Sequence, residues 1–296
     1  MPNNDNIANK EIKLAKYAGF CYGVKRAVET AKKLKAENSD KNVFVLGELI
    51  HNTHVIHELE KLGIKTLTEI PEKGDGICVI RSHGESPDVI EKINKAGFTP
   101  VDLTCPDVKK VQQKAIELAK EGYFVVIVGK EEHPEVIAIK ANAQMFSSNV
   151  VVAASCEQLE NYKDKIKSHR KVGVVVQTTQ RLATLNAIVE YLTSISKELH
   201  IANTICASTA MRQSEAKELA QDSDLVIVVG SKKSANTTHL AEILKDITQT
   251  IHIENDEELD EYKNLIEKSK KISITAGAST PQDIIDNVIN KIRKEI

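Results

Sequence analysis

The chain has no run of eighteen apolar residues, no Cys-x-x-Cys pair and almost no net charge, and each absence removes a class of protein. A membrane helix needs about twenty consecutive apolar residues, so no membrane span is expected. The start, Met1-Pro2-Asn3-Asn4-Asp5-Asn6, is polar, which argues against a secretory signal. Five widely spaced cysteines, odd in number, do not make a disulfide framework, and the expected location is the reducing cytoplasm. A formal charge of -2 on 296 residues gives no general attraction to nucleic acid, so an anionic ligand must be held by local groups.

What is present is ordinary in amount and regular in order. Apolar residues make up 41% and charged residues 28%, enough to build cores in a globular protein. Short apolar runs at 43–46, 64–67, 77–80, 99–104, 124–128, 150–154, 172–176, 201–205, 225–229 and 272–275 read as strands. Helical patterns alternate with them, among them 53–62, a helix capped by Ser86-Pro87-Asp88, 182–195 and a terminal helix. Strands alternating with helices indicate parallel α/β units.

Three strand-like runs stop at a cysteine where a helical pattern begins: Cys21, Cys105 and Cys206. A thiol at a helix N-terminus faces backbone N–H groups and the positive end of the helix dipole, a setting that suits sulfur acting as an anion. Each cysteine is followed at nearly the same spacing by a polar strand-end loop, holding His51, His133-Pro134-Glu135 and Ser234-Ala235-Asn236. A second loop follows in each, with His83, Gln177-Thr178 and Ser279. The repeat predicts an α/β fold of three similar units with mostly parallel sheets, spanning 11–104, 105–205 and 206–296 and arranged pseudo-threefold around one central site. The loops lie at the carboxyl ends of strands, where open α/β sheets bind ligands. Strands 99–104 and 199–205 each close one unit and open the next, so 11–19 is expected to supply the missing strand of the third unit.

A cysteine taken singly is ordinarily a small buried hydrophobe, and Cys78 and Cys156 are read that way. The shared context sets Cys21, Cys105 and Cys206 apart as metal ligands. His54, His57, His169, His200, His239 and His252 share no such context and are read as packing or surface residues. His51, His83 and His133, with Ser234, Asn236, Ser279 and nearby helix N-termini, would suit a phosphate or diphosphate. Three thiolates fit either zinc completed by a histidine or an iron–sulfur cluster with one open iron. Glu135 beside them supplies an acid. A zinc hydrolase would need no electron donor, and a non-catalytic iron–sulfur sensor would have no use for Glu135.

Gly-Phe-Cys-x-Gly-Val at 19–24, Glu-Leu-Ile-His-Asn at 48–52, Ser-His-Gly at 82–84 and Thr-Cys-Pro at 104–106 occur in that order. His-Pro-Glu at 133–135, Gln-Thr-Thr at 177–179, Thr-Ile-Cys at 204–206, Arg-Gln at 212–213 and Thr-Ala-Gly-Ala-Ser at 275–279 complete the set. Over nearly the whole chain this resembles the 4-hydroxy-3-methylbut-2-enyl diphosphate reductases, the last enzymes of the methylerythritol phosphate route to isoprenoids. The resemblance implies a [4Fe-4S] cluster on Cys21, Cys105 and Cys206 with one iron open to the substrate hydroxyl. It implies an allylic diphosphate bound by His51, His83, His133, Ser234, Asn236 and Ser279, and Thr178 hydrogen-bonded to the substrate hydroxyl. It also implies proton delivery by Glu135 with Gln177 nearby, and reduced ferredoxin or flavodoxin as electron donor. One departure stands out: the family commonly carries Ser-Ser-Asn where this chain has Ser234-Ala235-Asn236. One hydroxyl contact to the diphosphate is therefore expected to be missing, while the Ala235 backbone N–H still donates.

Overall fold

The computed structural model describes residues 10–295; the polar start at 1–6 lies outside them. In chain order the first strands are β1 (Glu11–Leu14), β2 (Val43–Leu46), β3 (Ile64–Leu67), β4 (Ile77–Ile80) and β5 (Thr99–Asp102). Between them run helices α1 (Tyr22–Glu37), α2 (Thr53–Lys61) and α3 (Pro87–Lys95). The middle of the chain carries α4 (Pro106–Lys120), β6 (Phe124–Val128), α5 (Pro134–Gln144), β7 (Val150–Ala153), α6 (Cys156–Glu160) and α7 (Lys163–Ser168). It continues with β8 (Lys171–Val176), α8 (Leu182–Ile195) and β9 (Glu198–Ile201). The last third holds α9 (Ala207–Gln221), β10 (Leu225–Val229), α10 (Ala235–Lys245) and β11 (Thr250–Ile253). A 3-10 helix (Glu257–Tyr262), α11 (Lys263–Lys268), β12 (Lys271–Ala276) and α12 (Gln282–Glu295) finish it.

These elements build three similar four-stranded sheets, β3-β2-β4-β5, β7-β6-β8-β9 and β11-β10-β12-β1. Every pairing in them is parallel. Edge strand β1 lies beside β12 with Glu11 opposite Lys271 and Leu14 opposite Ile274, so the first strand of the chain completes the last sheet. By contacts the chain falls into two compact units. One comprises Met1–Lys25, His51–Val55 and Ala207–Ile296 and holds the β1 sheet; the other comprises Arg26–Ile50 and Ile56–Cys206 and holds the other two.

The central strands are apolar at nearly every position because both faces of a parallel sheet are covered by helices. In β10, Leu225, Ile227 and Val229 pack with α11 and α12 residues such as Ile266, Ile285 and Val288. The alternate residues Val226 and Val228 pack with Ala216, Leu240 and Leu244 of α9 and α10. In β6 the same period of two sends Val125 and Ile127 toward α4 and α5, and Phe124, Val126 and Val128 toward the α8 side. Full burial of one such side chain stabilises by about 1.5–3 kcal/mol.

Three strand expectations differ from what the chain does. Strand 201–205 ends instead at Ile201. The Thr204 hydroxyl accepts from the Val176 N–H at 2.7 Å and donates to the Val176 carbonyl at 2.6 Å, while Asn203 Oδ1 accepts the Ile205 N–H. Side chains thus occupy the groups a longer ladder would use. Likewise 99–104 stops at Asp102, whose carboxylate accepts from the Thr104 N–H and hydroxyl. Expected strand 11–19 stops at Leu14, and the Glu215 carboxylate accepts the N–H groups of Lys16 and Tyr17 at 2.7 and 2.9 Å.

Candidate functional site

In the first two sheets the chain leaves one central strand toward one edge and the other central strand toward the opposite edge, so the loops after them diverge. The third sheet repeats the arrangement with β1 in the fourth place. Such a switch point at the carboxyl end is where open α/β sheets hold ligands. The central pairs are β2/β4, β6/β8 and β10/β12, and every residue singled out from the sequence as a ligand other than the cysteines lies just beyond one of these strands.

Backbone hydrogen bonds set the equivalences. Gly47, Gly129 and Gly230 donate to Leu67, Ala153 and Ile253, each the last residue of the neighbouring strand. Four residues on stand His51, His133 and Ser234. The N–H groups of Cys21, Cys105 and Cys206 donate to the carbonyls of Ala278, Ser82 and Thr178 at 3.2, 2.9 and 3.0 Å. Thr178 is therefore the counterpart of Ser82 and Ala278, and the residue matching His83 and Ser279 is Thr179. Sequence spacing alone sets Thr178 against His83 and Ser279, one residue out of step.

In the unit holding two sheets, Pro134 opens α5 and His133 caps it, its Nδ1 accepting the Glu135 N–H at 3.2 Å. That fixes Nδ1 as an acceptor and leaves the proton of a neutral ring on Nε2. His83 meets the His133 ring edge-on, centroids 5.5 Å apart. Glu135 is 1% exposed. Its Oε1 accepts the Thr178 N–H at 2.6 Å and its Oε2 the Thr178 hydroxyl at 2.7 Å. Burial pushes the carboxyl up to about 7, and the two Thr178 bonds pull it the other way without prevailing. Gln177, fully buried, accepts from the Lys130 N–H at 3.3 Å and donates to the Thr179 hydroxyl at 3.0 Å. The result is a carboxyl that holds a proton near neutral pH and a hydroxyl through which it can pass.

In the other unit, Ser234 caps α10 without a side-chain capping bond, and Ala235 and Asn236 follow as the first helical residues. Asn236 is buried; its Oδ1 accepts from the Thr209 hydroxyl at 3.5 Å and its Nδ2 has no partner. A buried amide donor without an acceptor at a helix N-terminus suits an anion. Ser279 donates to the His51 carbonyl at 3.1 Å. A side chain on Gly277 would collide with the Thr237 hydroxyl, so only glycine lets α10 come this close to the β12 loop.

Cys21, Cys105 and Cys206 are unlinked and half-buried, each at the start of a helix. The Val24 N–H donates to Cys21 Sγ at 3.5 Å, and Cys105 caps α4 with its sulfur unused for capping. Three thiols outside any disulfide, at helix starts and each with its backbone tied to the polar loop beside it, fit the donor set of an iron–sulfur cluster. By contrast burial pushes the Cys78 thiol up to about 11, which suits a packing residue, and Cys156 is likewise raised by burial. Sequence context passes over His252, whose Nε2 bonds the Gly230 carbonyl at 2.8 Å beside the α10 loop and whose pKa burial lowers. It lies on β11, a strand too short and alternating to show itself.

The fold and loops define an α/β protein built from repeated switch-point sites, with thiols, a buried amide donor and a buried carboxyl of raised pKa at the strand ends. The LytB protein family matches residues 12–293, and the chain belongs to that family. It is 41% identical over 285 residues to the 4-hydroxy-3-methylbut-2-enyl diphosphate reductase of Geobacter sulfurreducens, covering 96% of this chain and 97% of that one. The reductase of Clostridium perfringens is 41% identical over 290 residues, 96% of this chain and 99% of its own. A solved (E)-4-hydroxy-3-methyl-but-2-enyl diphosphate reductase, the terminal enzyme of the non-mevalonate pathway, superposes with TM-score 0.70 at 37% identity over 96% of this chain and 99% of that chain. The reductase from Plasmodium falciparum superposes with TM-score 0.86 at 28% identity, covering 95% of this chain and 87% of that one. Among the described residues no helix is long and apolar enough to cross a membrane.

Proposed function

We propose that the chain is a 4-hydroxy-3-methylbut-2-enyl diphosphate reductase, converting that allylic alcohol to isopentenyl and dimethylallyl diphosphate. Removing the hydroxyl as water and protonating carbon consumes two electrons and two protons. Cys21, Cys105 and Cys206 hold the [4Fe-4S] cluster, and 11–104, 105–205 and 206–296 are the three repeated units that each present one of them. When bound, the cluster would supply the two electrons, and reduced ferredoxin or flavodoxin, in the cytoplasm, would feed it.

This chain's residues do the rest. His51, His83, His133, Ser234, Asn236, Ser279 and the Ala235 N–H bind the diphosphate. Thr178 orients the substrate hydroxyl and relays a proton between it and Glu135. Gln177 keeps the loop in place by its bonds to Lys130 and Thr179. The observation that carries the reading is the Glu135–Thr178 pair: an acid 1% exposed, raised to about 7 and bonded twice to one threonine, in a chain of the LytB family.

The test is anaerobic turnover of the allylic diphosphate with a chemical one-electron reductant, with both products followed by mass. Formation of both diphosphates supports the reading. Cluster-loaded protein that leaves the substrate intact would overturn it.

A further inference from the structure

Two arginines hold the loops that lead into two of the cysteines. Arg212 is buried on α9, six residues after Cys206. One guanidinium nitrogen donates to the Tyr17 carbonyl and, at 2.6 Å, to the Ala276 carbonyl, and the other donates to the Gly19 carbonyl at 2.9 Å. The loop entering Cys21 is thus fastened to the end of β12, two residues before Ala278, which accepts the Cys21 N–H. Gly19 makes the grip practicable: its φ of 87° turns the backbone in a region that L side chains avoid.

Arg26 repeats the device. It lies on α1, five residues after Cys21, and donates from one nitrogen to the carbonyls of Leu103 and Thr104 at 3.0 and 2.6 Å. Those are the two residues before Cys105. The third loop is built otherwise: before Cys206 the Thr204 hydroxyl takes both backbone groups of Val176. A helix that starts at one cysteine therefore carries the clamp for the loop of another, twice.

We infer that Arg26 and Arg212 are positioning residues that fix the ligand loops of Cys105 and Cys21 before the cluster arrives. The inference rests on the cluster reading above and goes beyond it, because the arginines act on the backbone of the cysteine loops rather than on substrate. A guanidinium presents its donors in a rigid planar fork, so it can span two or three carbonyls at once; lysine's donors all radiate from one flexible ammonium and match that arrangement less well. Both clamps also place a fixed positive charge behind a loop that would carry an anionic ligand, which favours the more negative, reduced form of the group bound there.

The experiment is anaerobic cluster reconstitution of the full chain and of Arg26→Gln, Arg26→Lys, Arg212→Gln and Arg212→Lys. Cluster loss to an iron chelator and the electron paramagnetic resonance of the reduced state are both followed. The control is Ile93→Ala, a core truncation on α3 that lowers thermal stability and whose packing cluster includes no residue of the three cysteine loops. The glutamine variants should lose the cluster at least about tenfold faster than the control and give an altered resonance, and lysine should recover part of the retention. Retention and resonance like those of the control would overturn the inference. Should Arg212→Gln not fold, the half-buried Arg26 carries the same test alone. A parent chain that takes up no cluster would overturn the underlying reading and this inference with it; a loaded parent with unaffected variants overturns the inference only.

Discussion

The β6/β8 and β10/β12 switch points share topology and loop geometry and differ in what becomes of their polar groups. Six residues past the strand-end glycine stands Glu135 in one and Asn236 in the other. Glu135 is closed upon by the backbone and hydroxyl of Thr178, so both its oxygens are engaged from within. Asn236 keeps a buried Nδ2 with no partner at the head of α10. One site satisfies its carboxyl from within; the other keeps a buried amide donor unused. The facing loop differs as well, Thr178 in one standing where Ala278 stands in the other, so the same scaffold reaches the two outcomes through a few side chains.

Removing the Glu135 carboxyl should have the largest effect. Glu135→Gln keeps the shape and loses the acid, and since a positioned general acid contributes about 10²–10⁴-fold, turnover should fall by at least about 100-fold. Diphosphate affinity should change little. An active glutamine variant, measured by product formation under anaerobic conditions, would remove Glu135 from the chemistry.

Taking the donor from the other switch point comes next. Asn236→Ala deletes one hydrogen bond to a charged group, worth about 1.5–3 kcal/mol, or roughly 10–150-fold in affinity. Titration calorimetry should show weaker diphosphate binding with turnover at saturation largely kept. Equal binding by parent and variant would place the diphosphate elsewhere.

A pH series separates the two sites further. Glu135 titrates at about 7, so turnover should decline as pH rises through that value, and the decline should vanish in the residual activity of Glu135→Gln. Stability follows the same sign. The folded state binds this proton more tightly than the unfolded chain, so the contribution is complete below the ordinary carboxyl value of 4.5 and is lost as pH rises through about 7. The melting temperature of the parent should therefore fall relative to Glu135→Gln as pH rises through that window. A constant difference would mean that Glu135 is ionised throughout.

The smallest effect is expected from Ala235→Ser, which restores the hydroxyl common in the family. Ala235 is buried beside Asn236, and its replacement adds one contact at most. Affinity for the diphosphate should improve by no more than about tenfold, with water covering part of the difference. A loss of affinity would show that the added oxygen crowds the head of α10.

Much of the architecture can be read from the chain because central parallel strands are continuous apolar runs ending in glycine and polar residues. Runs such as Leu225–Val229 and Phe124–Val128 need no tertiary knowledge to be found. Residues 250–253, Thr-Ile-His-Ile, are short and alternate in polarity, and β11 escapes the pattern. The strand ends at 103–104 and 202–205 read too long because Asp102, Asn203 and Thr204 satisfy the backbone through side chains, a choice made by local hydrogen bonding rather than by hydrophobicity. At the site, the residue types are legible and their states are not. Glu135 reads as an acid in any sequence, but its proton depends on burial by distant elements. Arg26 and Arg212 reach carbonyls 77 and 193 positions away, and no local pattern announces such partners.

The most direct measurement is the iron and acid-labile sulfide content of anaerobically purified protein, with its visible spectrum before and after addition of the allylic diphosphate. About four iron and four sulfide per chain, with a spectrum perturbed by the diphosphate, is the expected result. Zinc without sulfide, and a spectrum blind to the diphosphate, would contradict it and make the three thiols ligands of a different chemistry.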